Sequence, residues 1–172
     1  MSRAVLPSVG VEVELSCRVS GAAVTLRSRP VLVDLVGECR VRVEEGSGDS
    51  VGTRLVGLRL TGDLPDAGGP EDGGTITLEL EDSAAGVLRP LPDAPSRFAN
   101  ELVGAFTLTV VQPDSTVGAV GRHPVRLSAA RTAFPPEGDE YALAEPVEFA
   151  LPDVPDVTIA TVEELVVRLR VT

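Results

Sequence analysis

Between Val9 and Val19 the chain alternates without a fault: Val9, Val11, Val13, Leu15, Cys17 and Val19 fall on one parity, and Gly10, Glu12, Glu14, Ser16 and Arg18 on the other. A period of two sends successive side chains to opposite faces of a pleated strand, whereas a helix, with its period of 3.6, cannot gather that apolar set on one side. The segment therefore reads as a strand with one apolar and one wet face, the pattern of an antiparallel sheet.

The same pattern recurs along the chain. After a turn expected at Ser20-Gly21, Val24 and Leu26 begin a second run that ends before Pro30. In the third run Val31, Val33, Leu35, Cys39, Val41 and Val43 share a face, with Gly37 marking a bulge or bend. EEGSGDS at 44–50 reads as a hairpin loop, Val51 to Gly62 as a strand, and DLPDAGGPEDGG at 63–74 as a surface loop. Thr75 to Glu81 alternates again. RPLPDAPS at 89–96 cannot sit inside a central strand, because proline donates no ladder hydrogen bond, so it is expected to cross from one sheet edge to another. Leu102 to Val111, Val117 to Leu127 and Tyr141 to Leu151 supply three more strands, and Pro124 and Pro146 push the last two toward edges or bulges. At the C-terminus Thr161 to Glu164 resembles a helix capping box, but Leu165, Val167, Leu169 and Val171 alternate, which favours a strand. Leu-Pro-Asp occurs at 64–66, 91–93 and 151–153 without a common period, so no repeat architecture follows.

These runs predict one all-β domain over 1–172: an antiparallel β-barrel or β-sandwich of about eight to ten strands with little helix. Periodicity does not separate barrel from sandwich. Long, regular strands lean toward the barrel, because closure removes exposed edges.

A chain of 172 residues can bury roughly 70% of its unfolded surface, enough for a core without staples. Its residues are 43% hydrophobic but only 3% aromatic, with no Trp, so Val, Leu and Ala must fill the interior. All fifteen basic residues are Arg, which looks like the codon bias of a high-GC bacterium such as an actinomycete. A net charge of -11 repels phosphate backbones and anionic membranes, which argues against nucleic-acid and membrane partners. The N-terminal residues lack an apolar signal region and no run approaches the ~18 apolar residues of a membrane helix, so a cytoplasmic protein is expected. Cys17 and Cys39 are too few for a disulfide framework and fall on apolar parities, as buried thiols do.

No metal signature, phosphate loop or nucleophile elbow is present, so neither a metal nor a cofactor is expected. Candidate chemistry rests on single residues. His123, in GRHPV, is the sole histidine and a candidate general base, although a lone His at a strand edge is ordinarily a surface residue. Asp34, Glu38, Arg40 and Arg42 share the even face of the third run; in a sandwich that face is simply solvated, whereas in a barrel whose lumen it formed, Asp34 and Glu38 would be buried and perturbed. Arg27, Arg29 and Arg59 suit either a ligand carboxylate or cross-strand pairing with acids. The acidic loops at 63–72 and 137–140 offer oxygen ligands for calcium but match no EF-hand spacing. Phe134 to Tyr141 places the sole Tyr and a Phe at either end of a rigid turn.

Two resemblances follow from particular stretches. VTLRSRP at 24–30, GGTITLELEDSAAGVLRP at 73–90 and FPPEGDEYAL at 134–143 resemble a family of small all-β actinobacterial proteins, which brings no activity with it. GDSVGTRLVGLRLTG at 48–62 is similar to a hairpin of the allene-oxide-cyclase-like barrels, although this chain lacks their aromatic-lined lumen. That likeness implies a cofactor-free cyclase of bacterial natural-product biosynthesis. The residues themselves suit a small barrel or sandwich that holds an apolar metabolite, as a cyclase or isomerase, with Asp34, Glu38, His123 and Tyr141 as candidate catalytic residues reaching inward. A protein-binding module and a homo-oligomeric structural subunit are the competing expectations.

Overall fold

The computed structural model describes residues 6–65 and 73–172 and contains no helix among them. Thirteen antiparallel strands make one sheet: β1 (Glu12–Leu26), β2 (Arg29–Glu44), β3 (Val51–Asp63), β4 (Thr75–Leu80), β5 (Ser83–Leu91), β6 (Ala94–Gly104), β7 (Phe106–Gln112), β8 (Ser115–Gly121), β9 (Val125–Thr132), β10 (Glu137–Leu143), β11 (Val147–Ala150), β12 (Thr158–Glu164) and β13 (Val166–Val171).

The thirteen strands are eight long staves. β1, β2 and β3 are each one stave. The other five staves are pairs of consecutive strands, β4 with β5, β6 with β7, β8 with β9, β10 with β11 and β12 with β13, each split near its middle. Every stave pairs antiparallel with the next in chain order. The last closes on the first, because β12 pairs with residues 23–26 of β1 and β13 with residues 15–18. The result is an up-and-down ring without a free edge. Hydrogen bonds bridge several splits, among them Glu81 N–H to the Ala105 carbonyl and Leu143 N–H to the Leu165 carbonyl, so the staves are continuous.

More than the expected eight to ten strands result because the staves are long and bend. In β1 the parity of buried residues changes from Leu15, Cys17 and Val19 to Ala22 and Val24. A bulge between Val19 and Ala22, with Gly21 at φ 66°, adds the residue that shifts the phase. Gly57, at φ 67°, does the same in β3 between Leu55 and Leu58. The expected turn at Ser20-Gly21 is therefore a bulge inside one strand; the chain reverses at Arg27-Ser28, both left-handed, as a two-residue hairpin requires. Val9 and Val11 precede β1 and are exposed.

The Pro-rich stretch is not a crossover. Pro90 and Pro95 lie in β5 and β6, joined by a tight turn at Pro92-Asp93. Pairing of β5 with β3 stops at Leu88, so Pro90 has no neighbour on that side to which it would owe a hydrogen bond. Pro124 and Pro146 fall in the splits of their staves. The C-terminal alternation is a strand on both sides of Leu165, and the capping-box reading does not hold.

The odd parity of β2 faces inward, and Val33, Leu35, Cys39, Val41 and Val43 are all at most 5% exposed. An eight-stranded ring encloses just enough room for side chains to meet or for one small ligand. Here the inward side chains meet. We call the end bearing turns 27–28 and 113–114 upper, and the end bearing loop 45–50 and turn 92–93 lower.

Candidate functional site

Along most of its length the lumen is apolar. The main core runs from Leu64 and Ile76 at the upper end through Leu60, Phe106 and Phe149 to Leu15, Leu102 and Val167 in the lower half. A separate small cluster, Val43, Val51, Leu88 and Phe98, closes the lower end, with Leu6 and Phe134 packed against it. Phe134 touches both clusters.

Between the two clusters lies a polar layer. On β3 the inward sequence is Val51, Thr53, Leu55, and on β6 it is Phe98, Asn100, Leu102, so in each case a polar residue separates end cluster from core. Asn100 is 5% exposed and makes three hydrogen bonds. Its Nδ2 donates to Thr53 Oγ1 at 3.1 Å and to the Val87 carbonyl at 3.0 Å, while its Oδ1 accepts from the Tyr141 hydroxyl at 2.8 Å. Thr132, fully buried on β9, donates to the Ala133 carbonyl. A register shift between Phe98 and Asn100 in the β6–β9 pairing is a bulge of the kind that re-aims a side chain. Every buried polar side chain described has a partner, as a dry interior demands.

Tyr141 is the titratable group of this layer. Burial pushes its hydroxyl above the ordinary phenol range, with Asp139 and Cys39 adding to the shift, so it is a neutral donor across the physiological range. Cys17 and Cys39 also face inward, their sulfurs 3.4 Å apart and unbonded covalently. The hydrogen bond between them, then burial, hold the Cys39 thiol well above its usual range, so it is protonated and unreactive.

The other expected site residues lie elsewhere. Asp34 and Glu38 are exposed on the outer wall, and Asp34 accepts a hydrogen bond from Gly21 N–H at 2.8 Å. They do not line the lumen, because the apolar parity of β2 is the one that closure turns inward. His123 is exposed in the split between β8 and β9. Of the four candidates only Tyr141 is inside. Its partner Asn100, and Thr53 bonded in turn to Asn100, were not singled out from sequence; a lone polar residue on an otherwise apolar parity was the available signal. Arg27 bonds Gln112, and Arg59 stands opposite Glu38 and Glu79 on the neighbouring strands. In the first acidic loop, residues 66–72 lie outside the described residues. Among the described residues no group of three or more metal-binding side chains gathers.

Fold and site together define a closed, up-and-down β-barrel with one buried polar layer. No protein-family model and no curated protein matches the chain. Among solved structures, DynF from the dynemicin biosynthesis pathway of Micromonospora chersina shares the fold, with a TM-score of 0.71 over 95% of this chain and 82% of that one, at 19% sequence identity.

Proposed function

We propose that this chain binds an apolar metabolite of bacterial natural-product biosynthesis in the lower half of its barrel. The observation that carries the reading is the polar layer: an otherwise apolar lumen holds a small set of convergent hydrogen-bonding groups, the composition of a small-molecule site. The barrel it shares with DynF, a protein of the dynemicin pathway, supports the biosynthetic setting. The end cluster around Phe98 is the natural entrance, being small and apart from the main core. A ligand carbonyl taking the place of Asn100 Oδ1 would accept a hydrogen bond from the Tyr141 hydroxyl, and the apolar remainder would replace Phe98 and Leu88. The proposal is binding rather than cyclisation or isomerisation, because Asp34, Glu38 and His123 stand outside the lumen.

A protein-binding module is the second reading. A shallow hollow of about 420 Å³ on the outer wall of β5, β6 and β9 is lined by small side chains, among them Ala85, Val87, Ala99, Val103 and Ala130.

Native mass spectrometry of the protein purified from its own host, beside a denatured control, tests the proposal. A retained small molecule whose occupancy falls in Tyr141→Phe supports lumen binding. A bare 17.9 kDa chain or a bare multiple of it overturns that reading in favour of a partner-binding or assembly role.

A further inference from the structure

Three arginines crowd the outer wall where β1, β13 and β10 run side by side. Arg18 and Arg168 stand directly opposite each other in the β1–β13 pairing, and Arg170 is opposite Ser16, two residues along. Like charges facing across paired strands repel, and this chain carries 26 acidic residues to 15 basic ones, so carboxylates were plentiful for those positions. Most arginines elsewhere on the wall do have such a neighbour, as Arg40 has Glu12 and Arg126 has Glu101. Here only Arg168 does, donating to Glu140 at 2.7 Å. The side chains of Arg18 and Arg170 have no partner among the described residues, although Glu137 lies opposite Arg170 in the register.

The cluster surrounds open space. A hollow of about 540 Å³ is lined by Arg18, Arg168, Arg170, Ser16 and Glu137, and an adjoining one of about 290 Å³ shares Arg18 and Arg168 and adds Val166. Val36, also on the rim and 52% exposed, offers an apolar seat beside the charges.

We propose that this hollow is a binding site for the phosphate group of a small molecule. Two uncompensated guanidinium groups, with a third shared with Glu140, match the double charge of a phosphate monoester. The planar forks of arginine fit its oxygens pairwise, and a bound dianion removes the Arg18–Arg168 repulsion. The site lies outside the lumen and does not depend on the ligand proposed there.

Titration with inorganic phosphate in a phosphate-free buffer at constant ionic strength tests this, read from the arginine Nε–Hε resonances and by calorimetry. Saturable shifts are expected at Arg18, Arg168 and Arg170. Affinity should fall about tenfold in Arg18→Ala, the worth of one charge-assisted hydrogen bond. It should survive in Arg18→Lys, rise in Glu137→Gln, and stay unchanged in Arg126→Ala. Absence of saturation, an equal loss in Arg126→Ala, or acetate binding as tightly as phosphate would overturn the proposal.

Discussion

The upper and lower halves of the barrel are built from the same eight staves, yet they are different interiors. The upper half is closed by Leu60, Leu78, Leu108, Phe149 and their neighbours, without a buried polar side chain among the described residues. The lower half holds Thr53, Asn100, Thr132, Tyr141 and both cysteines, and its end cluster is separate from the main core. The contrast teaches a division of labour. One half supplies apolar burial that makes the ring cohere, and the other accepts a layer whose every polar group must be paired, a requirement that specifies geometry more than it adds stability.

Truncating a ring in each half should separate them most sharply. Phe149→Ala, at a fully buried upper position, is expected to cost about 3–5 kcal/mol in chemical denaturation. Phe98→Ala should cost measurably less, because the partly buried Phe134 and Leu6 at the lower end can settle into the space. Equal losses would mean that the end cluster is as rigid as the core.

Within the polar layer, Asn100→Ala removes the acceptor of Tyr141 and the donor to Thr53 and should destabilise by roughly 1–3 kcal/mol. Tyr141→Phe should cost about 1 kcal/mol or somewhat more by leaving Asn100 Oδ1 short of a donor. The double variant should lose less than the sum, since both changes break one hydrogen bond; strict additivity would show that the two side chains act independently.

Alkaline stability should also map to the lower half. The folded state raises the pKa of Tyr141 and of Cys39 above their unfolded values. Their contribution is therefore fully present below the unfolded pKa values, about 8.5 for Cys and about 10 for Tyr, and is lost as pH rises beyond them. Urea midpoints from pH 7 to 11 should decline in the parent protein, less steeply above pH 10 in Tyr141→Phe, and later in onset in Cys39→Ala. An unchanged profile in both variants would assign the decline elsewhere.

The smallest effect belongs to the outer wall. Glu44 accepts from Arg54 at 2.6 Å, and that hydrogen bond holds its carboxyl below the ordinary range. A lowered folded pKa gives stability present above the unfolded value and lost as pH falls, so Glu44→Gln should blunt acid sensitivity slightly and leave the midpoint at pH 7 nearly unmoved. A large change at neutral pH would mean that this half-buried pair positions the β2–β3 hairpin.

Alternation by itself determined that the chain is all-β and that the odd residues of 31–43 share one apolar face, and it favoured a strand for the C-terminal run, because a side-chain period of two is a local consequence of the pleat. It also placed both cysteines inside. What it left open was closure. Whether Asp34 and Glu38 or Val33 and Leu35 lined the enclosed space depended on which way the sheet curled, and it was decided only by the ring closing with the apolar parity of β2 inward. The bulges at Gly21 and Gly57 were likewise tertiary outcomes, since a phase shift inside a stave looks, in sequence, like a turn between two strands. The meeting of Tyr141 with Asn100 spans 41 residues and rests on β6, β9 and β10 lying in consecutive staves with a bulge beside Asn100. Local chemistry sets which side of a strand is apolar; the global register sets which polar residues on that side find one another.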